Sequence, residues 1–347
     1  MTGEAMQPPD GIEVAAVTDW LAAGMDALRP PLRFTKLTGG HSNFTYRVDD
    51  EAGNAFVLRR PPLGELLPSA HDMGREFRVI SGLWPTAVPV AQPLAFCEDP
   101  AVTGAPFYCM SLIDGRALYL REDVDDYVPE ARRHELAMSF VDVLAELHAL
   151  DPDEVGLGGL GKKEDYVARQ LHRWQTSWLA SKTDERPLAD VVHDVLVDRI
   201  PAQERARVVH GDYGLHNCLS HHSGHNAAVV DWEISTLGDP LADLAYALNS
   251  WCDADDPDPL RVDAPTRAPG FPAKAELLRR YAERTGRDVS GIAFYESFNH
   301  WKTFCILQGV YARYLHGQKS TEGVDLENLT ARRDRALAMA AAGVGVS

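Results

Sequence analysis

The chain has 347 residues, of which 45% are hydrophobic and 24% charged, a composition typical of a globular protein with a buried core. Its net charge of −17 argues against nonspecific binding to nucleic acid or to an anionic membrane, because the phosphates would be repelled. The five cysteines are scattered and form no C-x-x-C pair, and neither a secretory signal nor a membrane-spanning apolar run is visible. We therefore expect a cytoplasmic protein without a disulfide framework.

The first third of the chain predicts a β-rich lobe. A helix is expected over residues 14–28, where it stops before two consecutive prolines. Alternating apolar and polar residues, separated by turn residues, then predict a meander followed by one helix and two more strands. The predicted strands cover residues 32–37, 44–48, 55–59, 93–96 and 107–112, and the predicted helix covers residues 70–83.

The remainder of the chain predicts a helical lobe. Apolar residues recur at helical spacing after Gly115. Helices are expected over residues 131–150, 163–179 and 187–200, and two short strands over 207–209 and 227–230 flank a polar loop. Strands first and helices later indicate an α+β protein of two lobes. The small N-lobe would hold an antiparallel sheet and one main helix, and the larger C-lobe would be mainly helical.

The segment HGDYGLHN at residues 210–217 carries the clearest chemistry, and the strand after it ends in Asp231. Phosphoryl transfer from ATP to a hydroxyl needs a carboxylate that orients the hydroxyl and accepts its proton, together with oxygen ligands for Mg²⁺. The pattern H-x-D-x-x-x-x-N with a later aspartate supplies these groups in that order. We predict Asp212 as the catalytic base and Asn217 and Asp231 as metal ligands. For the short motif alone, a turn with a capping asparagine is the alternative.

Several histidines near this segment raise the alternative of a zinc site. Structural zinc sites need closed sets of four ligands at recognisable spacing. The last three of these histidines fall in a polar turn, which favours solvated loop side chains instead. The histidines concerned are His210, His216, His221, His222 and His225.

With these motifs the chain resembles the aminoglycoside-phosphotransferase-like kinases, which share the bilobal protein-kinase fold. Within them it is most similar to the subgroup associated with acyl-CoA dehydrogenases. Five ordered segments carry the resemblance: FVLRRPP, LLPSAHDMGREFRVISGL, FYCMSLIDGRAL, VVHGDYGLHN and AAVVDWEISTLGDPLADLAYAL. It implies an ATP- and Mg²⁺-dependent phosphotransferase acting on a small-molecule hydroxyl. The implied domains are a helical extension at 1–30, an N-lobe at 31–113 and a C-lobe at 114–347.

The resemblance also assigns a phosphate-covering loop between the first two strands. Gly39 and Gly40 would let backbone amides approach phosphate oxygens, and Ser42 and Asn43 would complete the loop. A plain hairpin turn is the alternative for a glycine pair taken alone.

Other nucleotide contacts follow from the same resemblance. Arg59 occupies the strand position where most kinases carry a phosphate-binding lysine, and Glu76 would be its partner on the helix. An exposed surface glutamate is the alternative for Glu76. Met110, Ser111 and Ile113 would run into the hinge between the lobes and contact the adenine, although Met110 is equally consistent with a core residue.

The sequence leaves several classes of phosphate acceptor open. Gly214 and His216 stand where subgroup members often have arginine and aspartate, and Asp239 and Asp243 are either structural or substrate-facing. The subgroup favours a hydroxyacyl-CoA or related metabolite, with a possible functional link to an acyl-CoA dehydrogenase. An aminoglycoside acceptor and a catalytically silent nucleotide-binding module are the alternatives. Basic residues that could meet CoA phosphates are Arg116, Arg169, Arg173, Lys302 and Arg313.

Overall fold

The computed structural model describes residues 9–37, 43–64, 71–257, 259–318, 321 and 324–346. The chain divides into two compact units. The smaller one comprises Met1–Asp114 and Ala227–Glu233, and the larger one comprises Gly115–Asn226 and Ile234–Ser347. The short segment before Ile234 thus returns the chain to the smaller unit.

The smaller unit contains one antiparallel sheet. Its strands are β1 (Arg33–Lys36), β2 (Phe44–Asp49), β3 (Ala55–Arg60), β4 (Pro93–Cys97) and β5 (Phe107–Ser111), and its helices are α1 (Val14–Gly24), α2 (Met73–Leu83) and α3 (Pro100–Thr103). The strand order is β1-β2-β3-β5-β4. In the register of β3 and β5, Arg59 lies opposite Tyr108, which places both residues at the centre of the sheet.

The core of the smaller unit follows from the alternation seen in the sequence. On β2, Tyr46 and Val48 are buried while Arg47 between them is exposed. Helix α1 buries Val17 and Leu21, which lie one turn apart, in the same cluster as these strand residues. Helix α1 therefore forms part of the core beside the sheet.

The larger unit is mainly helical. Its helices are α4 (Arg121–Tyr127), α5 (Glu130–Ala149), α6 (Tyr166–Ser181), α7 (Pro187–Asp198), α8 (Pro240–Asn249), α9 (Lys274–Thr285), α10 (Ile292–Leu315) and α11 (Leu326–Val344). The second half of the chain also forms four short strands, β6 (Arg207–Val209), β7 (Cys218–His221), β8 (His225–Val229) and β9 (Thr236–Gly238). Strand β6 pairs with β9, and β7 pairs with β8.

The predicted α+β class is confirmed, with a small antiparallel sheet that carries one main helix and a larger helical part. The predicted strands at 207–209 and 227–230 do not pair with each other, because two strands that the sequence did not predict, β7 and β9, take those partners. Both are only three or four residues long, so their pairing depends on tertiary contacts rather than on local pattern. Among the described residues, no helix is long and apolar enough to cross a membrane.

Candidate functional site

A buried ion-pair group lies on the sheet of the smaller unit. Arg59 Nε lies 3.0 Å from Glu76 Oε2, and Arg59 Nη2 lies 2.6 Å from Asp231 Oδ1. Tyr108 donates its hydroxyl hydrogen to Glu76 Oε2 at 3.0 Å. The structure thus brings together three of the residues that the sequence predicted for nucleotide and metal binding.

Arg59 and the carboxylates of Glu76 and Asp231 shift one another's pKa values. Burial raises the pKa of Glu76 to about 7 even though the charge of Arg59 opposes the shift. Burial alone would lower the pKa of Arg59, but the carboxylates of Glu76 and Asp231 outweigh it, and that pKa rises above its ordinary value. Arg59 is therefore a permanent cation, and Glu76 fixes its guanidinium group.

Asn43, the last residue of the predicted phosphate-covering loop, also contacts this group. Its side-chain nitrogen donates to Glu76 Oε1 at 3.3 Å and to Glu233 Oε2 at 3.5 Å, and its oxygen lies 2.8 Å from His71 Nδ1. Asn43 is 4% exposed, so it is a buried linker rather than a solvent-facing loop residue. The other predicted loop residues, Gly39, Gly40 and Ser42, lie outside the described residues.

The predicted hinge segment begins in the last residues of strand β5, which lies between β3 and β4. Met110 is half-buried and lies opposite Val57 of β3. The N–H of Ser111 donates to Gln92 O at 2.9 Å, so it is already engaged within the sheet. Adenine recognition here would therefore depend on the Ser111 carbonyl and on Ile113, which follows the strand.

Both carboxylate oxygens of Asp212, the predicted catalytic base, accept hydrogen bonds within the larger unit. Tyr246 donates its hydroxyl hydrogen to Asp212 Oδ1 at 2.7 Å, and the Asn217 side-chain nitrogen donates to Asp212 Oδ2 at 3.1 Å. His216 Nε2 lies 3.5 Å from Oδ1. Burial raises the pKa of Asp212, but hydrogen bonds from His216 and Tyr246 outweigh it and lower the pKa to about 2. The carboxylate is ionised at neutral pH and held in one orientation.

Asp243 fixes the backbone of the same segment. Its two oxygens accept the N–H groups of His210 at 2.7 Å and Gly211 at 2.8 Å. His148 Nε2 lies 3.2 Å from its Oδ2, and His148 Nδ1 in turn lies 2.7 Å from the Tyr281 hydroxyl. Asp243 is fully enclosed, which assigns it a structural role. Such an anchor explains how a polar loop keeps one conformation.

Asp239 is structural as well. Its side chain caps the first turn of α8 by accepting the N–H of Leu241 at 2.9 Å, and the Tyr295 hydroxyl donates to its other oxygen at 2.9 Å. Only 2% of Asp239 is exposed, so it is not placed to meet a substrate.

Two residues beside Asp212 were missed or misassigned by sequence reasoning. Tyr246 was not predicted. It lies three residues after Asp243 on α8, and this spacing, which puts both residues on one helix face, could have indicated its position. Lys302 was suggested as a contact for CoA phosphates. The structure buries it instead, with Nζ donating to Gly211 O at 3.2 Å and lying 4.4 Å from the centre of the Tyr246 ring. Burial lowers the pKa of Lys302 to about 8.

The two predicted metal ligands, Asn217 in the larger unit and Asp231 in the smaller one, can each be described within its own unit. The side-chain nitrogen of Asn217 donates to the backbone oxygen and to the carboxylate of Asp212. Its side-chain oxygen takes no part in these two hydrogen bonds. Asp231 offers Oδ2 beside the oxygen bound by Arg59, and it adopts a left-handed φ of 65°, a conformation that aspartate tolerates better than most residues. Carboxylate and amide oxygens are ligands that Mg²⁺ accepts.

The alternative of a zinc site built from histidines is not supported by the arrangement of the described side chains. Within the described ranges, no group of three or more His, Cys, Asp or Glu side chains is arranged to hold a metal ion. His221 at the end of β7, His222 in the turn and His225 at the start of β8 lie with their rings close together, and Ser223 bridges His221 and His225.

Comparisons with known proteins identify the family of the chain. Residues 33–287 match the phosphotransferase enzyme family. The chain is 35% identical over 295 residues to acyl-CoA dehydrogenase family member 10 of Mus musculus, and the match covers 84% of this chain but 27% of that protein. The chain therefore spans well under half the length of this relative.

Solved structures share the fold. A crystal structure of a candidate aminoglycoside phosphotransferase from Ralstonia eutropha has a TM-score of 0.79 at 31% identity and covers 95% of this chain and 97% of the other. A thermostable aminoglycoside phosphotransferase mutant in complex with AMP-PNP and hygromycin B has a TM-score of 0.61 at 16% identity, with coverages of 95% and 100%. The chain belongs to the phosphotransferase enzyme family and has the protein-kinase-like fold of the aminoglycoside phosphotransferases.

Proposed function

We propose that this protein transfers the γ-phosphoryl group of ATP, in the presence of Mg²⁺, to a hydroxyl group of a small molecule. The observation that carries the proposal is the Asp212 carboxylate, which is ionised, one-third exposed and hydrogen-bonded through both oxygens. Membership of the phosphotransferase family supports the reaction class.

In this reaction the bond from the γ-phosphorus to the bridging oxygen of the β-phosphate breaks, and ADP leaves. A new bond forms between the acceptor oxygen and the phosphorus, and the hydroxyl proton passes to Asp212. A carboxylate with a pKa of about 2 is a weak base, so its main contribution is to orient the hydroxyl. Bound Mg²⁺ would neutralise negative charge on the phosphate oxygens, and Asn217 and Asp231 would hold it.

Arg59 would hold a phosphate group of the nucleotide. Glu76 lies at its Nε and Asp231 at its Nη2, so the guanidinium group is held in one orientation. Its planar shape and permanent charge suit a phosphate group. Asn43 supports Glu76 from the other side and thereby stabilises this arrangement.

For the acceptor, we propose a hydroxylated acyl-CoA or a related anionic metabolite. The likeness to an acyl-CoA dehydrogenase family member supports this class. An aminoglycoside is the second candidate, favoured by the net charge of −17, which would attract a polycation, and by the hygromycin B complex of a protein with the same fold.

A mass-spectrometric screen tests the reaction. The protein is incubated with ATP, Mg²⁺ and a panel that contains hydroxyacyl-CoAs, hydroxy acids and aminoglycosides. We expect one class to gain a phosphoryl group, and Asp212→Asn to reduce the rate at least about hundredfold. Asp194→Asn, on an exposed residue of α7, is the matched control. Binding of ATP and Mg²⁺ without any phosphorylated product would instead favour a regulatory nucleotide-binding module.

A further inference from the structure

A pocket of the larger unit lies beside the catalytic segment. The apolar side chains of Leu118, Leu215 and Trp251 line it, together with the polar side chains of His216 and Arg261. Because His216 Nε2 also lies 3.5 Å from Asp212 Oδ1, one wall of the pocket adjoins the carboxylate that we propose orients the acceptor. A molecule seated there would have its apolar part in the pocket and a hydroxyl near Asp212.

Arg261 is a weakly neutralised cation at this pocket. Its Nη2 donates to Tyr119 O at 3.1 Å and lies 3.4 Å from Asp263 Oδ2. The Asp263 side chain is 59% exposed, so water screens its attraction for Arg261. These contacts use a single terminal nitrogen of the guanidinium group, which leaves hydrogen-bond donors for a ligand.

Arg332 on α11 brings a second cation to the same segment. One helical turn further along, Arg335 Nη1 donates to Pro259 O at 3.0 Å, which brings this face of α11 to Pro259, two residues before Arg261. The charge of Arg261 adds to burial in lowering the pKa of Arg332, while Asp263 opposes the shift. Arg261 and the exposed carboxylate of Asp263 therefore both act electrostatically on Arg332, with opposite effects.

The half-buried side chain of Arg332 has few partners within the protein. Its Nε atom is buried without a hydrogen-bond partner, and within the described part of the chain no salt bridge involves this residue. A buried Nε–H without a hydrogen-bond partner, on a half-buried side chain that a like charge acts on, is destabilising. In a chain with 51 acidic residues and 34 basic ones, an unpaired arginine next to another arginine indicates a site that an external anion completes.

We propose that Arg261 and Arg332 bind an anionic group of the acceptor, a phosphate ester or a carboxylate, while the pocket contacts its apolar part. The inference rests on the proposed function, because it assumes that the acceptor hydroxyl meets Asp212. It differs from the basic residues that the sequence suggested, two of which are engaged elsewhere: Arg116 lies over the Tyr127 ring, and Lys302 is buried against Gly211. A polycationic acceptor would be repelled by this pair.

Calorimetric titration of three related probes tests the proposal. Pantetheine is neutral, 4′-phosphopantetheine adds a phosphate ester, and pantothenate carries a carboxylate. Each is titrated with and without saturating AMP-PNP and Mg²⁺, so that binding in the nucleotide site can be recognised. We expect at least one anionic probe to bind wild type about tenfold more tightly than pantetheine. Which of the two does so identifies the anion.

Variants then locate the binding. Arg332→Leu should abolish the preference for the anionic probe, and Arg332→Lys, which keeps the charge and guards against a folding defect, should retain part of it. Arg279→Leu, on an exposed residue of α9 that pairs only with Glu283 at 3.8 Å among the described salt bridges, is the control. Equal binding of all three probes, no binding of either anion, or a preference that survives Arg332→Leu would overturn the proposal.

The same titrations keep the two proposals apart. The affinity for AMP-PNP and Mg²⁺ reports on the phosphotransferase, and Arg332→Leu should leave it unchanged. A wild-type protein that prefers the anionic probe but does not bind the nucleotide would contradict the proposed function and support the anion site. Nucleotide binding without any anion preference would do the reverse.

Discussion

At the scale of single residues, the environment of Asp212 decides what it can do. Tyr246 and Asn217 each donate to a different carboxylate oxygen, and the pKa of about 2 keeps the group ionised over the physiological range. Since one-third of the side chain stays exposed, an incoming hydroxyl can still reach it. Asp212 is thus fixed in orientation before any substrate arrives.

Removing one of these donors should slow the reaction without affecting nucleotide binding. Tyr246→Phe deletes the hydroxyl that holds Asp212 Oδ1, and a hydrogen bond to a charged group contributes about 1.5–3 kcal/mol. We expect kcat to fall at least about tenfold while KM for ATP stays the same, as measured by steady-state kinetics. Tyr314→Phe on α10 serves as the control; a Tyr246→Phe enzyme with wild-type kcat would contradict the assigned role.

Gly214 and His216 depend on each other. A Cβ atom at position 214 would lie 2.5 Å from His216 Cε1, so any side chain there must displace the imidazole ring from Asp212. Gly214→Ala should therefore reduce kcat about as much as His216→Ala, and the double variant should be no worse than either single one. Fully additive losses in this double-mutant cycle would show that the two positions act separately.

At the scale of elements, α8 positions the catalytic segment through one face of the helix. Asp239 caps the helix, Asp243 holds the backbone of His210 and Gly211, and Tyr246 reaches Asp212. Asp239, which precedes α8, and Asp243 and Tyr246 within it stand at i, i+4 and i+7, which places them along one side of the helix. Movement of α8 would therefore shift the catalytic carboxylate.

The contribution of Asp243 to stability should depend on pH. Burial raises the pKa of Asp243, but bonds from His148 and from the loop backbone outweigh it, and the pKa lies below its ordinary value. The stabilisation is thus fully present above the unfolded pKa of about 3.9 and is lost as the pH falls through the native pKa. Asp243→Asn should lower the free energy of unfolding by about 3–5 kcal/mol at pH 7, and by less at pH 3.

Denaturant unfolding of Asp243→Asn at several pH values, with Asp194→Asn as the exposed control, checks this expectation. An equal loss of stability at pH 3 and pH 7 would exclude the ionised carboxylate as the source.

Features formed by residues close together in the sequence could be predicted, and features that join distant segments could not. Asp212 and Asn217 are five residues apart in one loop, and the strand pattern around Arg59 is regular, so both could be predicted. The pairing of β6 with β9 and the proximity of Arg261 to Arg332 could not, because they join segments that are distant along the chain. The burial of Lys302 was also hidden, since a lysine on a helix ordinarily faces water.

At the scale of the whole molecule, charge separates the two acceptor classes. The net charge of −17 would attract a polycation, whereas the pair formed by Arg261 and Arg332 favours an anion at the pocket beside Asp212. Charges close to the pocket determine what binds there, because salt largely screens surface charges that lie farther away than about 10 Å. The anionic class of acceptor is therefore the one that we favour.

The most direct test of the central claim follows the terminal phosphoryl group itself. Wild-type protein and Asp212→Asn are incubated with Mg²⁺, a hydroxylated acceptor pool and ATP labelled with ¹⁸O in the γ-phosphoryl group, and the products are analysed by mass spectrometry. The account predicts that wild type moves the label onto an acceptor hydroxyl and that Asp212→Asn does so at least about hundredfold more slowly. Label found only in ATP and inorganic phosphate, or transfer at the wild-type rate by Asp212→Asn, would contradict it.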